Sequence, residues 1–146
     1  MNIIDTNGIS YIFEKNLILR DSYYLVPDVE EEAEMTQLIH NKRLPSNILR
    51  SSQITNFDEA VYLKHYKDIL NKYGGRSFFN MTGFGDVSIL ATLLMLVEVF
   101  DKRVQKRLFP NDDQIVVYTK DQQLSSKIKT ELANKNVIVR PVTDIV

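Results

Sequence analysis

Gln114-Ile115-Val116-Val117-Tyr118-Thr119-Lys120-Asp121 decides the fold. Its apolar run is the clearest strand of the chain, and Leu124, Ile128 and Leu132 then recur at i, i+4, i+8, one face of a helix. Val137-Ile138-Val139 makes a last short strand before Pro141. The same alternation runs back to the start. Ile3-Ile4 opens a short buried strand, and Ile9, Ile12 and Phe13 mark the helix after it. Leu17-Ile18-Leu19 and Tyr23-Tyr24-Leu25-Val26 each read as extended, with Pro27 ending the second before a helix from about Asp28. Ala60 to Tyr73 carries a helical pattern that Gly74-Gly75 should stop. A long apolar helix is expected from about Asp86 to Leu108, buried over its first half. Strands alternating with helices predict an α/β fold in which a parallel sheet is flanked by helices on both faces. The stretch from Leu44 to Asn56 carries no clear pattern.

With 146 residues, 44% hydrophobic and 25% charged, the chain is expected to form a single domain over 1–146 with its own core. A formal charge of -1 gives no overall basic field, so nucleic-acid binding would need a local patch or bound metal. The absence of cysteine excludes disulfides and thiolate metal sites and is compatible with a reducing cytoplasm. Met1-Asn2-Ile3-Ile4-Asp5 lacks the basic start and apolar stretch of a secretory signal, so a cytoplasmic location is expected. The most apolar segment, Ile89 to Phe100, is interrupted by Glu98 and falls short of the roughly 20 residues of a membrane span.

Four carboxylates stand at the joints of this alternation: Asp5, Glu32, Asp86 and Asp121. Ligands of open α/β sheets bind beyond the carboxyl ends of the strands, where Asp5 and Asp121 lie. Gathered acids repel one another unless a divalent cation holds them, and Mg²⁺ or Mn²⁺ prefers such oxygen donors. Capping is the competing explanation, because Asp5, Asp86 and Asp121 each stand just before a helix. Caps, however, need no convergence, whereas a site does. Glu32 comes from the acidic run Asp28 to Glu34 by angle. At about 100° per residue, Glu32 lies about 60° from Val29 and Ala33 about 40°, while Glu31 lies about 160° away. Glu32 therefore borders the buried stripe. Glu31 is the fallback, and Glu30, Glu31 and Glu34 read as surface charges.

These residues resemble the PIN-domain nucleases. An apolar strand followed by Asp-Thr-Asn is met by Ile3-Ile4-Asp5-Thr6-Asn7, and Val-Pro-x-Val-x-x-Glu by Val26-Pro27-Asp28-Val29-Glu30-Glu31-Glu32. The Asp leading an Ile-x-Ala-Thr helix is met by Asp86-Val87-Ser88-Ile89-Leu90-Ala91-Thr92, and the strand ending in Thr-x-Asp by Val116-Val117-Tyr118-Thr119-Lys120-Asp121. The segment from Asn41 to Phe84 departs from the pattern and aligns with no subgroup.

The resemblance implies an α/β/α sandwich and a Mg²⁺- or Mn²⁺-dependent endoribonuclease that leaves a 5′-phosphate and a 3′-hydroxyl. Asp5 and Asp86 would be direct ligands, with Glu32 and Asp121 completing the cluster directly or through water. Thr6, Asn7 and Thr119 would orient carboxylates or the attacking water; Thr119 reads equally as a plain strand-end residue. Many small stand-alone members are toxins of toxin–antitoxin pairs. The expected partners are therefore an RNA substrate, an antitoxin protein and a second copy in a homodimer, with no membrane. The alternative is a non-catalytic PIN-like module that binds RNA or protein. A receiver-like phosphoacceptor domain would need adjacent acids after its first strand, which Asn2-Ile3-Ile4-Asp5 lacks.

Other features carry less. Lys42, Arg43 and Arg50 follow the acidic helix, and Lys102, Arg103, Lys106 and Arg107 end the long one. They offer Arg43 and Arg103 as phosphate contacts, although cations favour helix C-termini for dipole reasons alone. Lys120, beside Asp121, is better placed. Gly83-Phe84-Gly85 precedes a helix but lacks a following Gly-Lys-Ser/Thr. His40 and His65 stand without partners at metal-ligand spacing and read as surface or boundary residues. Tyr23, Tyr24, Phe78 and Phe79 could stack on bases, but packing is the expected use.

Overall fold

Tyr118 hands the chain to a helix at the carboxyl edge of a five-stranded, all-parallel sheet. The computed structural model describes residues 1–78, 84–104, 114–133 and 135–146, except the side chains of 75–78 and 102–104. The strands are β1 (Asn2–Ile4), β2 (Tyr23–Tyr24), β3 (Ile48–Leu49), β4 (Ile115–Tyr118) and β5 (Val137–Arg140), in the order β3-β2-β1-β4-β5. The helices among the described residues are α1 (Thr6–Lys15), α2 (Pro27–His40), α3 (Glu59–Phe78), α4 (Gly85–Val104) and α5 (Gln122–Glu131). With all neighbours parallel, every connection is a crossover, and the helices in these connections cover the sheet as the expected α/β sandwich.

All four residues of β4 are buried, which is why its sequence is continuously apolar. In register, Ile3 sits between Tyr24 of β2 and Val117 of β4. Over β1 the helix α1 comes close: a Cβ on Gly8 would stand 2.6 Å from Ile4 Cγ1, so only glycine fits there. On α4, Val87, Ile89, Leu90, Leu93 and Leu96 are fully buried, as the long apolar run required. Asn16 and Asn41 end α1 and α2 in the left-handed conformation, at φ 51° and 49°.

Two local expectations change. Leu17-Ile18-Leu19 joins no strand, and Ile18 is 93% exposed, because Asn16 has already turned the chain away from α1. Within the unpatterned stretch, Ile48–Leu49 is the edge strand β3 and Ser51–Gln53 a single 3-10 turn; two residues are too few to show periodicity. Gly74 leaves helical geometry (φ 63°, ψ 172°), so the helix from Glu59 breaks there as the glycine pair led one to expect, and a second short helical piece runs from the kink to Phe78. The continuation of α4 to Leu108, with Lys106 and Arg107, lies outside the described residues. So do Phe79, Gly83 and the side chains of Phe78, Lys102 and Arg103. Among the described residues, no helix is long and apolar enough to cross a membrane.

Candidate functional site

The connections from β1 and β4 leave in opposite directions, so the sheet has its topological switch point between these two strands. A crevice opens there at the carboxyl ends. Asp5 follows β1 and Asp121 lies three residues past β4, so each brings its carboxylate to the rim. Helices α2 and α4 start at the same edge and bring Glu32 and Asp86. All four acids line one cleft of about 540 Å³. One wall is Thr6, Asn7 and Ser10 of α1, and the other continues from Glu32 along α2 through Met35, Thr36 and Ile39. Among its described lining residues there is no cation.

Asp5 is buried and fully engaged. Its Oδ1 accepts the Thr6 N–H at 2.7 Å, while Oδ2 accepts from Asn7 Nδ2 at 3.0 Å and Thr119 Oγ1 at 2.8 Å. Burial pushes its pKa up, and the charge of Asp121 adds to that, against the donors Thr119, Thr6 N–H and Asn7. The Thr119 hydroxyl also accepts the Asp121 N–H at 3.0 Å, so one side chain ties the acids after β1 and β4 together. Asn7 closes a second link through its Oδ1, which accepts the Lys120 N–H at 3.3 Å.

Asp5 caps α1, and Asp121 caps α5, where its Oδ1 accepts from Gln123 N at 2.9 Å and Leu124 N at 3.1 Å. For Asp86 the competing capping explanation does not hold. Asp86 is the second residue of α4, where the positive helix end favours a carboxylate but the neighbours do not. Burial, the charges of Asp5 and Asp121, a hydrogen bond with Asp121 and the charge of Glu32 push its pKa up to about 8.

Glu32 takes the cap that Asp86 leaves. Its carboxylate accepts from the Thr6 hydroxyl and from the Gly85 N–H at the start of α4. Burial raises its pKa, helped by the charges of Asp5 and Asp28 and opposed by those two donors. Glu31 and Glu34 are exposed, as the angular reading required. Glu30 is not a free surface charge: half-buried, it accepts the Ser51 N–H that begins the 3-10 turn.

Comparison with family models, curated proteins and solved structures finds no match. What the site can do therefore rests on its own chemistry. Carboxylate oxygens without nitrogen or sulfur donors suit a hard divalent cation. In the arrangement described, no three His, Cys, Asp or Glu side chains among the described residues are disposed to hold one ion together. Asp86 turns to Asp121, and Asp5, Glu32 and Asp121 each serve a helix start.

The basic candidates lie elsewhere. Lys42 donates its Nζ to Phe13 O and Asn16 Oδ1, both at 2.5 Å, and so closes the C-terminus of α1. Arg43 and Arg50 line a hollow beside β3 together with Glu30 and Glu34, outside the cleft that holds Asp5, Glu32, Asp86 and Asp121. Lys120 is exposed next to Asp121. His65 Nε2 lies 3.0 Å from Glu98, and His40 packs its ring 5.5 Å from that of Phe13. Tyr23 is buried and donates to Val146 O at 3.0 Å, a packing role.

Sequence reasoning missed Met35, Thr36 and Ile39, although they sit at i+3, i+4 and i+7 from Glu32 and so share its stripe. It also missed Ser88. The Ser88 hydroxyl takes the Asp28 N–H at 3.2 Å and lies 2.7 Å from Tyr62 OH, joining the starts of α2 and α4 to α3. No local pattern signals such a link.

Proposed function

We propose that this chain is a Mg²⁺- or Mn²⁺-dependent endoribonuclease acting at the acidic cleft. The supporting observation is the convergence of Asp5, Glu32, Asp86 and Asp121 on one cleft whose described lining has no cation, with Asp86 pushed to about 8. A carboxyl held so far above its ordinary range among other acids in a cleft supports a functional site over simple capping. A bare cleft of this kind repels phosphate; with its charge offset it accepts the scissile phosphodiester.

Asp5 and Asp86 would hold the cation, with Glu32 and Asp121 drawn in directly or through water. When bound, it would offset charge on the phosphate and make water a stronger nucleophile near neutral pH. Thr119 and Asn7 keep Asp5 oriented, and Thr6 keeps Glu32 oriented. Water adds to phosphorus as the P–O3′ bond breaks, leaving a 5′-phosphate and a 3′-hydroxyl. The exposed Lys120 stands at the rim to meet a neighbouring phosphate. Purified protein with Mn²⁺ should cleave single-stranded RNA, and Asp5→Asn or Asp86→Asn should abolish cleavage. Equal activity in variant and parent overturns the reading. Service as the toxin of a toxin–antitoxin pair belongs to the same proposal, and its test is a co-purifying small protein encoded by the adjacent gene.

A second reading has its own support. Because Asp5, Asp121 and Glu32 each satisfy a helix N-terminus, the acids also fit a non-catalytic module that binds RNA or protein. Calorimetry that finds no heat with millimolar Mg²⁺ or Mn²⁺ decides for it.

A further inference from the structure

The acidic cleft continues past its acids, between α1 and α2. From Glu32 the wall of α2 runs on through Met35 and Ile39, and from Thr6 the wall of α1 runs on to Ser10. At a rise of about 1.5 Å per residue, Met35 stands about 4.5 Å and Ile39 about 10.5 Å along the helix axis from Glu32. Met35 is 59% and Ile39 73% exposed, and their i, i+4 spacing puts the two side chains next to each other on this wall. Single exposed aliphatics are ordinary, but an adjoining pair left open inside a cleft is a surface for a ligand.

The opposite wall is polar, and most of it is taken. The Thr6 hydroxyl donates to Glu32, while Asn7 holds Asp5 and the Lys120 N–H. Ser10, one turn beyond Thr6, has a half-buried hydroxyl with no hydrogen-bond partner among the described residues. An occupant of this part of the cleft therefore needs an apolar face for Met35 and Ile39 and a polar group for Ser10. It also needs to be uncharged. No cation among the described lining residues meets a phosphate or a carboxylate, and the nearby acids repel both. A cationic group would settle on the acids and leave the apolar pair bare. A nucleoside meets each condition, with hydroxyls on its sugar and a broad, uncharged face on its base. The polarizable thioether of Met35 suits such a ring. Position agrees as well: in a strand whose phosphodiester sits at the acids, the next sugar and base fall a few ångströms away, where Met35 begins.

We propose that the cleft between α1 and α2 is a nucleoside subsite in which Met35 and Ile39 carry one unpaired base and Ser10 hydrogen-bonds its sugar. The subsite rests on the nuclease reading for the strand to which that nucleoside belongs. It also accounts for a single-stranded substrate, because a base stacked and paired in a duplex cannot turn its face to α2.

The nucleoside alone tests the subsite without metal or cleavage. In metal-free protein carrying ¹³C-methyl methionine, the Met35 signal is identified by its loss in Met35→Ala. Millimolar adenosine should move that signal upfield, as the ring current of a base lying over the methyl group does, whereas ribose should leave it in place. Read at the same signal, Ser10→Ala should weaken adenosine binding about two- to tenfold, the worth of one hydrogen bond. Ile39→Ala should weaken it to a similar extent. Combining Met35→Ala with Ile39→Ala puts good helix formers at exposed positions and should keep the fold. That double variant should raise the KM for single-stranded RNA about tenfold with kcat nearly unchanged, because the base is held equally before and during the reaction. A parent chain that cleaves no RNA defeats the nuclease reading, and the adenosine titration then decides the subsite by itself. Adenosine that acts no differently from ribose overturns the subsite and gives the wall to an apolar segment of a protein. So does adenosine binding indifferent to both Ser10→Ala and Ile39→Ala, or an unchanged KM in the double variant.

Discussion

The Glu32 carboxylate accepts the Gly85 N–H where α4 begins, and a Cβ on residue 85 would stand 2.9 Å from both of its oxygens. Glycine at 85 is thus what lets an acid from α2 close the start of α4. The Thr6 hydroxyl holds the same carboxylate from the other side, so Glu32 has little room to retreat. Gly85→Ala should displace it. Alanine favours a helix over glycine by about 1 kcal/mol, so the fold should persist. Mn²⁺ affinity, by calorimetry, should fall by about 10- to 100-fold, the usual effect of disturbing the surroundings of a metal site. Parental affinity in Gly85→Ala would mean that Glu32 serves only the helix.

Asp86 predicts an unusual dependence of stability on pH. Its pKa is pushed from 3.8 to about 8 in the folded chain, so the native state holds this proton more tightly than the unfolded state. The contribution is complete below about pH 4 and is lost as pH rises through about 8. Asp5 and Glu32 are shifted in the same direction. Metal-free protein should therefore melt at a lower temperature at pH 8 than at pH 5.5, and Asp86→Asn should flatten the difference by raising the value at pH 8. Added Mn²⁺ should stabilise the parent most at pH 8. A melting temperature that climbs across this window contradicts the electrostatics of the cleft.

The unit β4–α5–β5 was legible because its runs are long: continuous burial of Ile115 to Tyr118, then Leu124, Ile128 and Leu132 on one helix face. β3 was not, since Ile48–Leu49 is too short for any period and its pairing with Tyr23–Tyr24 is a tertiary fact. The four acids were legible as a set by their positions at element joints, and Glu32 by its angle. What misled was the premise that caps need no convergence. Parallel strands start every following helix at the same edge of the sheet, so the caps Asp5 and Asp121 gather there for purely structural reasons. Convergence alone cannot separate caps from ligands; Asp86, which caps nothing and stands among like charges, separates them better.

Ser88 should couple stability to the site. It is fully buried between the Asp28 N–H and Tyr62 OH, at the point where the helices bearing Glu32 and Asp86 meet. Ser88→Ala leaves both groups short of a partner and should cost about 1–3 kcal/mol in urea unfolding. Tyr62→Phe should cost less on its own. Measured together, the two should be non-additive by about 0.5 kcal/mol or more, as for other direct contacts. Strict additivity would show that the 2.7 Å contact contributes nothing to the joint.

Thr119 distinguishes a positioning residue from a plain strand end. Its hydroxyl donates to Asp5 Oδ2 and accepts from the Asp121 N–H, and it is the strongest of the donors that favour the charged form of Asp5. Thr119→Val keeps the branched shape at a buried position and removes only these bonds. Asp5, already shifted up by burial, should then hold its proton to still higher pH. Activity should accordingly rise at higher pH than in the parent, and Mn²⁺ affinity at neutral pH should fall by about 10- to 100-fold. Thr119→Ser retains the hydroxyl and should recover both, although it loses a buried methyl and hence some stability. A strand-end residue that merely packs would behave in the opposite way: Val would be tolerated, Ser would be the costlier change, and the pH profile would not move. Comparing the pH profiles of the two variants therefore separates the roles even if both reduce the melting temperature.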